Sequence, residues 1–257
     1  MSKIFKKEQD VFQSIFERNN FRRIVLLSPH PDDIAYSLGG SVYLIPPNCH
    51  SIIITVFNKS IYVSESSTNL NKQNITLLRK REELSYADRI GVQQFFLNFP
   101  DASILGYTAQ SELQGNYKDK RFKYVCSKID NLLCSISPDL IFCPIAIGKH
   151  IDHRIVFEAA YLSFLKNKWN MLYYEDLPYV YYADKVDLTT LTVDKLKTKT
   201  STIFCDITEV IEKKRSNLFI YQSQVTPRDE TAIINYAQRI HFERNCFAER
   251  LWYEGQF

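Results

Sequence analysis

The chain has 257 residues, 32 basic against 29 acidic, with 17 Phe and 16 Tyr. That length fits one large α/β domain or two small ones and buries a core without disulfides, and so heavy an aromatic load with 7 Gly and 9 Pro excludes disordered and collagen-like chains. A net charge of +3 is too weak to argue for nucleic acid, and no apolar run approaches the ~20 residues of a membrane span, so neither nucleic acid nor stable membrane insertion is expected.

Short β-rich runs alternate with helical stretches. Ile24 to Ser28 is a continuous apolar run, as in a strand buried on both faces. Ile34 to Ile45 has helical spacing and stops at Pro46-Pro47. Ser51 to Phe57 is the second strand, Asn58 to Gln73 a polar loop, and Asn74 to Ile90 a charged helix ended by Gly91. Gln94 to Asn98 is the third strand and Phe99 to Gly115 a second long loop. Tyr117 to Ile136 reads as helix, Leu140 to Cys143 as strand, Ile151 to Leu165 as an apolar helix and Met171 to Tyr174 as strand. Asp184 to Thr200 is a Lys/Thr-rich excursion or lid. Thr202 to Cys205 is the next strand; Asp206 with Glu209 opens a helix to Gln222, and Asp229 to Arg250 looks helical. The alternation predicts an α/β, Rossmann-like single domain, mostly parallel, with helices on both faces. Its core spans about 22–224, with a C-terminal helical extension over 225–257. The six cysteines form no C-x-x-C pair, and the N-terminus is charged with no apolar leader; both point to a cytoplasmic protein.

Three of the five histidines lie in two polar clusters just after buried strands: SPHPDD, Ser28 to Asp33, and KHIDH, Lys149 to His153. Each joins imidazole to carboxylate within a few residues, the donor set of a catalytic zinc. His30 and Asp33 are three apart and can converge on one ion, and His150 and His153 share a face if a helix has begun. Either cluster alone also reads as structure, HPDD as a Pro-Asp turn with an Asp N-cap, and a His-x-x-His pair as helix packing. Two of them, each at the carboxyl end of a buried strand, make coincidence much less probable.

SPHPDDIAYSLGG resembles the first motif of the PIG-L/LmbE-type N-acetylglucosaminyl deacetylases, and KHIDH with Arg154 resembles the second, H-x-D-H. Arg79 with Glu82 before Ile90-Gly91-Val92, the aspartate of Phe99 to Asp101, and the stretch from Cys205 to Gln224 support the likeness. Ile34 stands where the family usually has an acidic residue, and YEDLPY, Tyr174 to Tyr179, lies outside the general pattern. YEDLPY reads equally as a strand end with a proline turn or as a substrate element.

The resemblance implies a metal on His30, Asp33 and His153, zinc as isolated or iron(II) in the cell. It makes Asp32 the general base and His150 the group that polarises the carbonyl or protonates the leaving amine. Asp152 would hold the tautomer or charge of the His pair. It places Arg79 and Asp101 at the substrate, though Arg79 and Glu82 also read as a simple surface pair. The implied activity is metal-dependent hydrolysis of the acetamide of an N-acetylated amino sugar within a larger glycoside. The partner is then a small-molecule or glycoconjugate substrate. The alternatives are a hydrolase of another amide, ester or N-glycosidic bond, or a non-catalytic sugar-binding protein on the same fold. Tyr107, Tyr117, Tyr179, Tyr181 and Tyr182 would suit sugar stacking, and read equally as rim or core aromatics.

Overall fold

The structure is a computed structural model that describes residues 12–64, 72–107, 119–183, 200–241 and 246–254. A helix over residues 12–19 (α1) precedes β1 (Arg23–Ser28), α2 (Asp33–Leu38), β2 (His50–Thr55), α3 (Lys72–Ile90) and β3 (Gln93–Phe96). Then come α4 (Phe122–Ile136), β4 (Leu140–Pro144), α5 (Ile151–Asn167), β5 (Met171–Tyr174) and the one-turn α6 (Tyr179–Tyr182). The chain continues through β6 (Thr200–Asp206), α7 (Ile211–Leu218), α8 (Pro227–Ile240) and β7 (Ala248–Glu254).

The strands form one seven-stranded sheet in the order β3-β2-β1-β4-β5-β7-β6. β3 to β5 are parallel, and β7 runs antiparallel to both its neighbours. β4 and β5 are buried throughout and β1 beyond Arg23, because helices cover both faces and leave no polar side for alternation. β3 alternates exposed and half-buried residues, as an edge strand does. Phe12 and Phe16 of α1 seal one side of the core, Phe12 edge-on to Phe142 of β4. The fold is the Rossmann-like, mostly parallel α/β domain expected.

From β1 the chain moves outward to β2 and β3, then crosses back to β4 on the other flank of β1. That reversal opens a crevice beyond the carboxyl ends of β1 and β4, where open α/β sheets bind ligands. Both histidine clusters follow those two strand ends.

Four element readings are corrected. The helix expected over Ile34 to Ile45 breaks after Leu38 and resumes as a 3₁₀ turn over Ser41–Leu44. A Cβ at Gly40 would lie 2.6 Å from the Ile207 side chain, so the chain passes there only without one. The helix expected from Tyr117 starts at Phe122; residues 120–121 form a turn and 117–118 lie outside the described residues. Asp206 accepts from the Thr208 N–H rather than capping a long helix, and α7 ends at Leu218 instead of Gln222. The 225–257 segment is not all helical: α8 ends at Ile240 and β7 inserts between β5 and β6. The excursion expected over 184–200 lies outside the described residues up to 199.

Candidate active site

The first cluster is a turn under strain. Asp32 sits at φ 115°, where an L side chain is disfavoured. α3 holds it there: Glu83 Oε2 accepts the Asp32 N–H at 3.3 Å, and Arg79 donates to the Pro31 carbonyl at 3.2 Å. One residue on, Asp33 begins α2, and its Oδ2 accepts the His30 N–H at 2.7 Å. The two aspartates therefore belong to different local structures despite being adjacent.

The second cluster follows β4 through a loop with Ala146 and Lys149 in left-handed conformation. His150 caps α5, its Nδ1 accepting the Asp152 N–H at 3.2 Å. The ring proton of neutral His150 is thereby placed on Nε2. Gly148 is required because a Cβ there would lie 2.4 Å from the Tyr179 side chain. The rings of His30, His150 and His153 gather with centroids 5.2–5.3 Å apart.

Asp33 stands between two imidazoles, with Oδ2 3.4 Å from His30 Nδ1 and Oδ1 3.5 Å from His153 Nε2. Two ligands on a tetrahedral zinc at ~2.0–2.1 Å are themselves ~3.4 Å apart. Among the described residues His153 Nε2 is buried with no hydrogen-bond partner, a polar atom that an ion would satisfy. The opposite ring nitrogens are taken: His30 Nε2 by Asp152 at 2.9 Å and His153 Nδ1 by Asp176 at 2.5 Å. This is the arrangement that orients metal-binding imidazoles. His30, Asp33 and His153 can hold an ion, and so by proximity can His30, His150 and Asp152. In the second group the His30 Nε2–Asp152 Oδ2 pair is already joined by a hydrogen bond, whereas His153 Nε2 in the first has none among the described residues, so the first fits better.

The electrostatics show the same demand for a cation. Burial alone would pull His30 down, but hydrogen bonds and charge from Asp152 and Asp33 outweigh it and push it up to about 10. A proton there does the work that an ion between the same groups would do. Burial opposes ionisation of Asp33, yet His153 and His30 hold it below the usual carboxylate range. Burial pushes Asp32 well up, against the pull of the Arg79 guanidinium.

The Asp152 carboxylate bonds His30, while the Asp152 N–H meets His150 Nδ1. Its Oδ2 also accepts the Ala102 N–H at 2.9 Å, and Arg121 lies 2.7 Å from its Oδ1. Arg121 is fixed in turn by Asp119 and the Pro100 carbonyl and stacks over Phe57. Arg79 is no surface pair with Glu82. It is buried, reaching Ser60, Asp32 at 3.5 Å and Asp101 at 3.7 Å, while Glu82 accepts from Ser223.

A cavity of about 320 Å³ joins these groups. Tyr62, Asp101 to Ser103 and Leu177 to Tyr179 line it, so the two polar loops and YEDLPY all reach the rim. YEDLPY is both a strand end with a proline turn and part of the site. Tyr179 packs on His150 and His153. Tyr107 donates to Asp119 and Tyr181 pairs with Arg239. Tyr182 is exposed, and Tyr117 lies outside the described residues. Sequence reasoning missed Arg121, Glu83 and Asp176. Only Asp176 carried a signal, an acidic pair placed directly after a buried strand, as in the histidine clusters.

Residues 25–163 match the PIG-L family model, described as GlcNAc-PI de-N-acetylase. The chain is 27% identical over 234 residues to a 2'-N-acetylparomamine deacetylase of Streptomyces fradiae, across 90% of this chain and 84% of the relative. A solved deacetylase of the teicoplanin biosynthesis pathway superposes with a TM-score of 0.71 at 19% identity, covering 90% and 97% of the two chains. The N,N'-diacetylchitobiose deacetylase of Pyrococcus horikoshii superposes at 0.64 and 18% identity, over 97% and 91%. At such identities the two structures speak for the fold.

Proposed function

The chain belongs to the PIG-L family, and on that premise we propose that it is a metal-dependent N-deacetylase. Its substrate is an N-acetylated, GlcNAc-type amino sugar within a larger glycoside or conjugate. The observation that carries this reading is the open, buried Nε2 of His153 facing Asp33, beside His30, in a cavity that also holds Asp32 and His150. His30, Asp33 and His153 would hold the ion. Two imidazoles and a carboxylate suit zinc, and suit iron(II) in the cell. When bound, the ion supplies Lewis acidity to the amide carbonyl and lowers the pKa of water.

The chain's own residues do the rest. Asp32 takes the proton from the attacking water, and its burial makes the carboxylate a stronger base than a solvated one. His150, with Nδ1 committed to the Asp152 N–H, presents Nε2–H to polarise the carbonyl oxygen, and the proton that Asp32 took from water passes to the departing amine. Water adds across the C–N bond, leaving acetate and the free amino sugar. Asp152 and Asp176 fix the His30 and His153 tautomers. Six cysteines with no C-x-x-C spacing suit a reducing compartment, and we place the protein in the cytoplasm. Among the described residues no helix is long and apolar enough to cross a membrane.

The test is acetate release from a panel of N-acetylglucosaminyl conjugates by the zinc-loaded protein. Turnover of at least one, lost in Asp32→Asn, is expected; no acetate from any of them, with metal bound, overturns the reading.

A further inference from the structure

The cavity contains a polar group that the proposed chemistry does not use. Tyr36 lies on α2 one turn beyond the aspartates, lines the cavity and is 6% exposed. Its phenol oxygen is buried with no hydrogen-bond partner among the described residues. Asp229 reaches the same cavity from the first turn of α8. Its Oδ2 accepts from Thr226 N at 3.0 Å and Thr226 Oγ1 at 2.6 Å, which closes the helix cap.

The charges around the cavity do not balance. Arg79 faces Asp32 and Asp101, Asp152 is matched by Arg121 and His30, and Asp33 by two imidazoles. Among the described residues, Asp229 has no Lys, Arg or His within ion-pair distance. Burial, with the charges of Asp32 and Asp229, keeps the Tyr36 phenol protonated well beyond its ordinary range, so it stays a hydroxyl. A neutral hydroxyl of the substrate could bond Tyr36 but would leave half-buried Asp229 with only Thr226 and the α8 N-terminus to meet its charge. A phosphate would meet like charge. An ammonium donates to both the phenol and the carboxylate and cancels the charge.

We propose that Tyr36 and Asp229 form a subsite for a free ammonium group of the substrate, so that the enzyme acts on N-acetyl amino sugars bearing a further, unacetylated amine. This rests on the deacetylase reading above, and names its substrate class as cationic.

The test uses two substrates and one unreactive ligand with the zinc-loaded protein. The substrates are 2'-N-acetylparomamine and its fully N-acetylated, neutral derivative; the ligand is paromamine. The wild type should favour the amine-bearing substrate in kcat/KM by about tenfold or more, the worth of a charged hydrogen bond. Asp229→Asn keeps an acceptor for the Thr226 cap and should erase most of that preference through KM. Tyr36→Phe should reduce it. Paromamine binding by calorimetry should weaken about tenfold in Asp229→Asn. A preference unchanged in both variants, its absence in the wild type, or paromamine bound equally or not at all overturns the subsite. Acetate release without charge preference defeats the subsite and keeps the deacetylase reading. Charge-dependent paromamine binding with no acetate from any substrate does the reverse.

Discussion

Two clusters of buried charge flank β5, and they are built to different ends. On the antiparallel side, Glu175 accepts from Arg250 Nε at 2.7 Å, from Trp252 Nε1 at 2.8 Å and from the Tyr236 hydroxyl. Lys214 donates to Glu249 at 2.5 Å and to the Tyr36 carbonyl at 2.7 Å. Glu249 also accepts the N–H groups of Gly40 and Ser41. Each carboxylate and cation there is fully engaged. On the parallel side, the carboxylates and imidazoles surround His153 Nε2, which has no hydrogen-bond partner among the described residues. YEDLPY divides the two: Glu175 turns to the closed cluster and its neighbour Asp176 to His153. Buried charge alone does not mark a site; an open position within it does.

The contrast breaks most sharply at Asp32. Asp32→Asn should lose ~10²–10⁴-fold in turnover while keeping its metal, whereas Asp33→Ala and His153→Ala should lose metal. Metal content and rate measured on the same preparations decide it, and metal loss in Asp32→Asn would mean that the two aspartates have exchanged roles.

On the closed side, Lys214→Met should leave Glu249 buried and unpaired and cost about 3–5 kcal/mol of stability. Urea unfolding measures it, and a loss under about 1 kcal/mol would show that water or a neighbour replaces the lysine.

Glu83 sharpens the border between the clusters. Burial, opposed by hydrogen bonds from Tyr221 and Thr55, pushes it up to about 7 from an ordinary 4.5. The folded state therefore keeps a proton that the unfolded chain has released. The group's contribution is full below pH 4.5, falls as the pH rises to about 7, and is level above. Stability at pH 5 should exceed that at pH 8 by on the order of 2–3 kcal/mol more in the wild type than in Glu83→Gln. Equal differences in the two proteins would place the ionised form comfortably in the fold.

The smallest expected effect separates the neighbours of YEDLPY. Asp176→Asn should weaken metal affinity about 10–100-fold with little change in unfolding, and Glu175→Gln should do the opposite. Competition with a fluorescent chelator, alongside thermal melts, reads both.

The parallel half was open to inspection in the sequence because its strands are covered on both faces. Ile24 to Ser28 and Leu140 to Cys143 announce themselves as apolar runs, and the histidine clusters follow them directly. The rest is carried by contacts between distant positions. Arg121 reaches Asp152 across a turn read as helix, and Glu83 looks like one more charge on a charged helix. β7 was hidden because AERLWYE mixes charged and apolar residues without strict alternation: Glu249 and Arg250 are spent inside the sheet on Lys214 and Glu175. Periodicity reports a strand facing water on one side, and β7 has polar partners on both.

The bond between Gly40 and Glu249 spans 209 positions of the chain. It fixes the chain just past the end of α2, the helix that Asp33 begins, and β7, which provides it, also separates β5 from β6. A ribosome must therefore translate past Glu249 before the far end of the helix that Asp33 begins acquires its support. Until then Lys214 lacks its carboxylate, and a nascent chain holding both histidine clusters is still an incomplete enzyme. Catalytic competence arrives late in synthesis, long after its chemical groups have emerged.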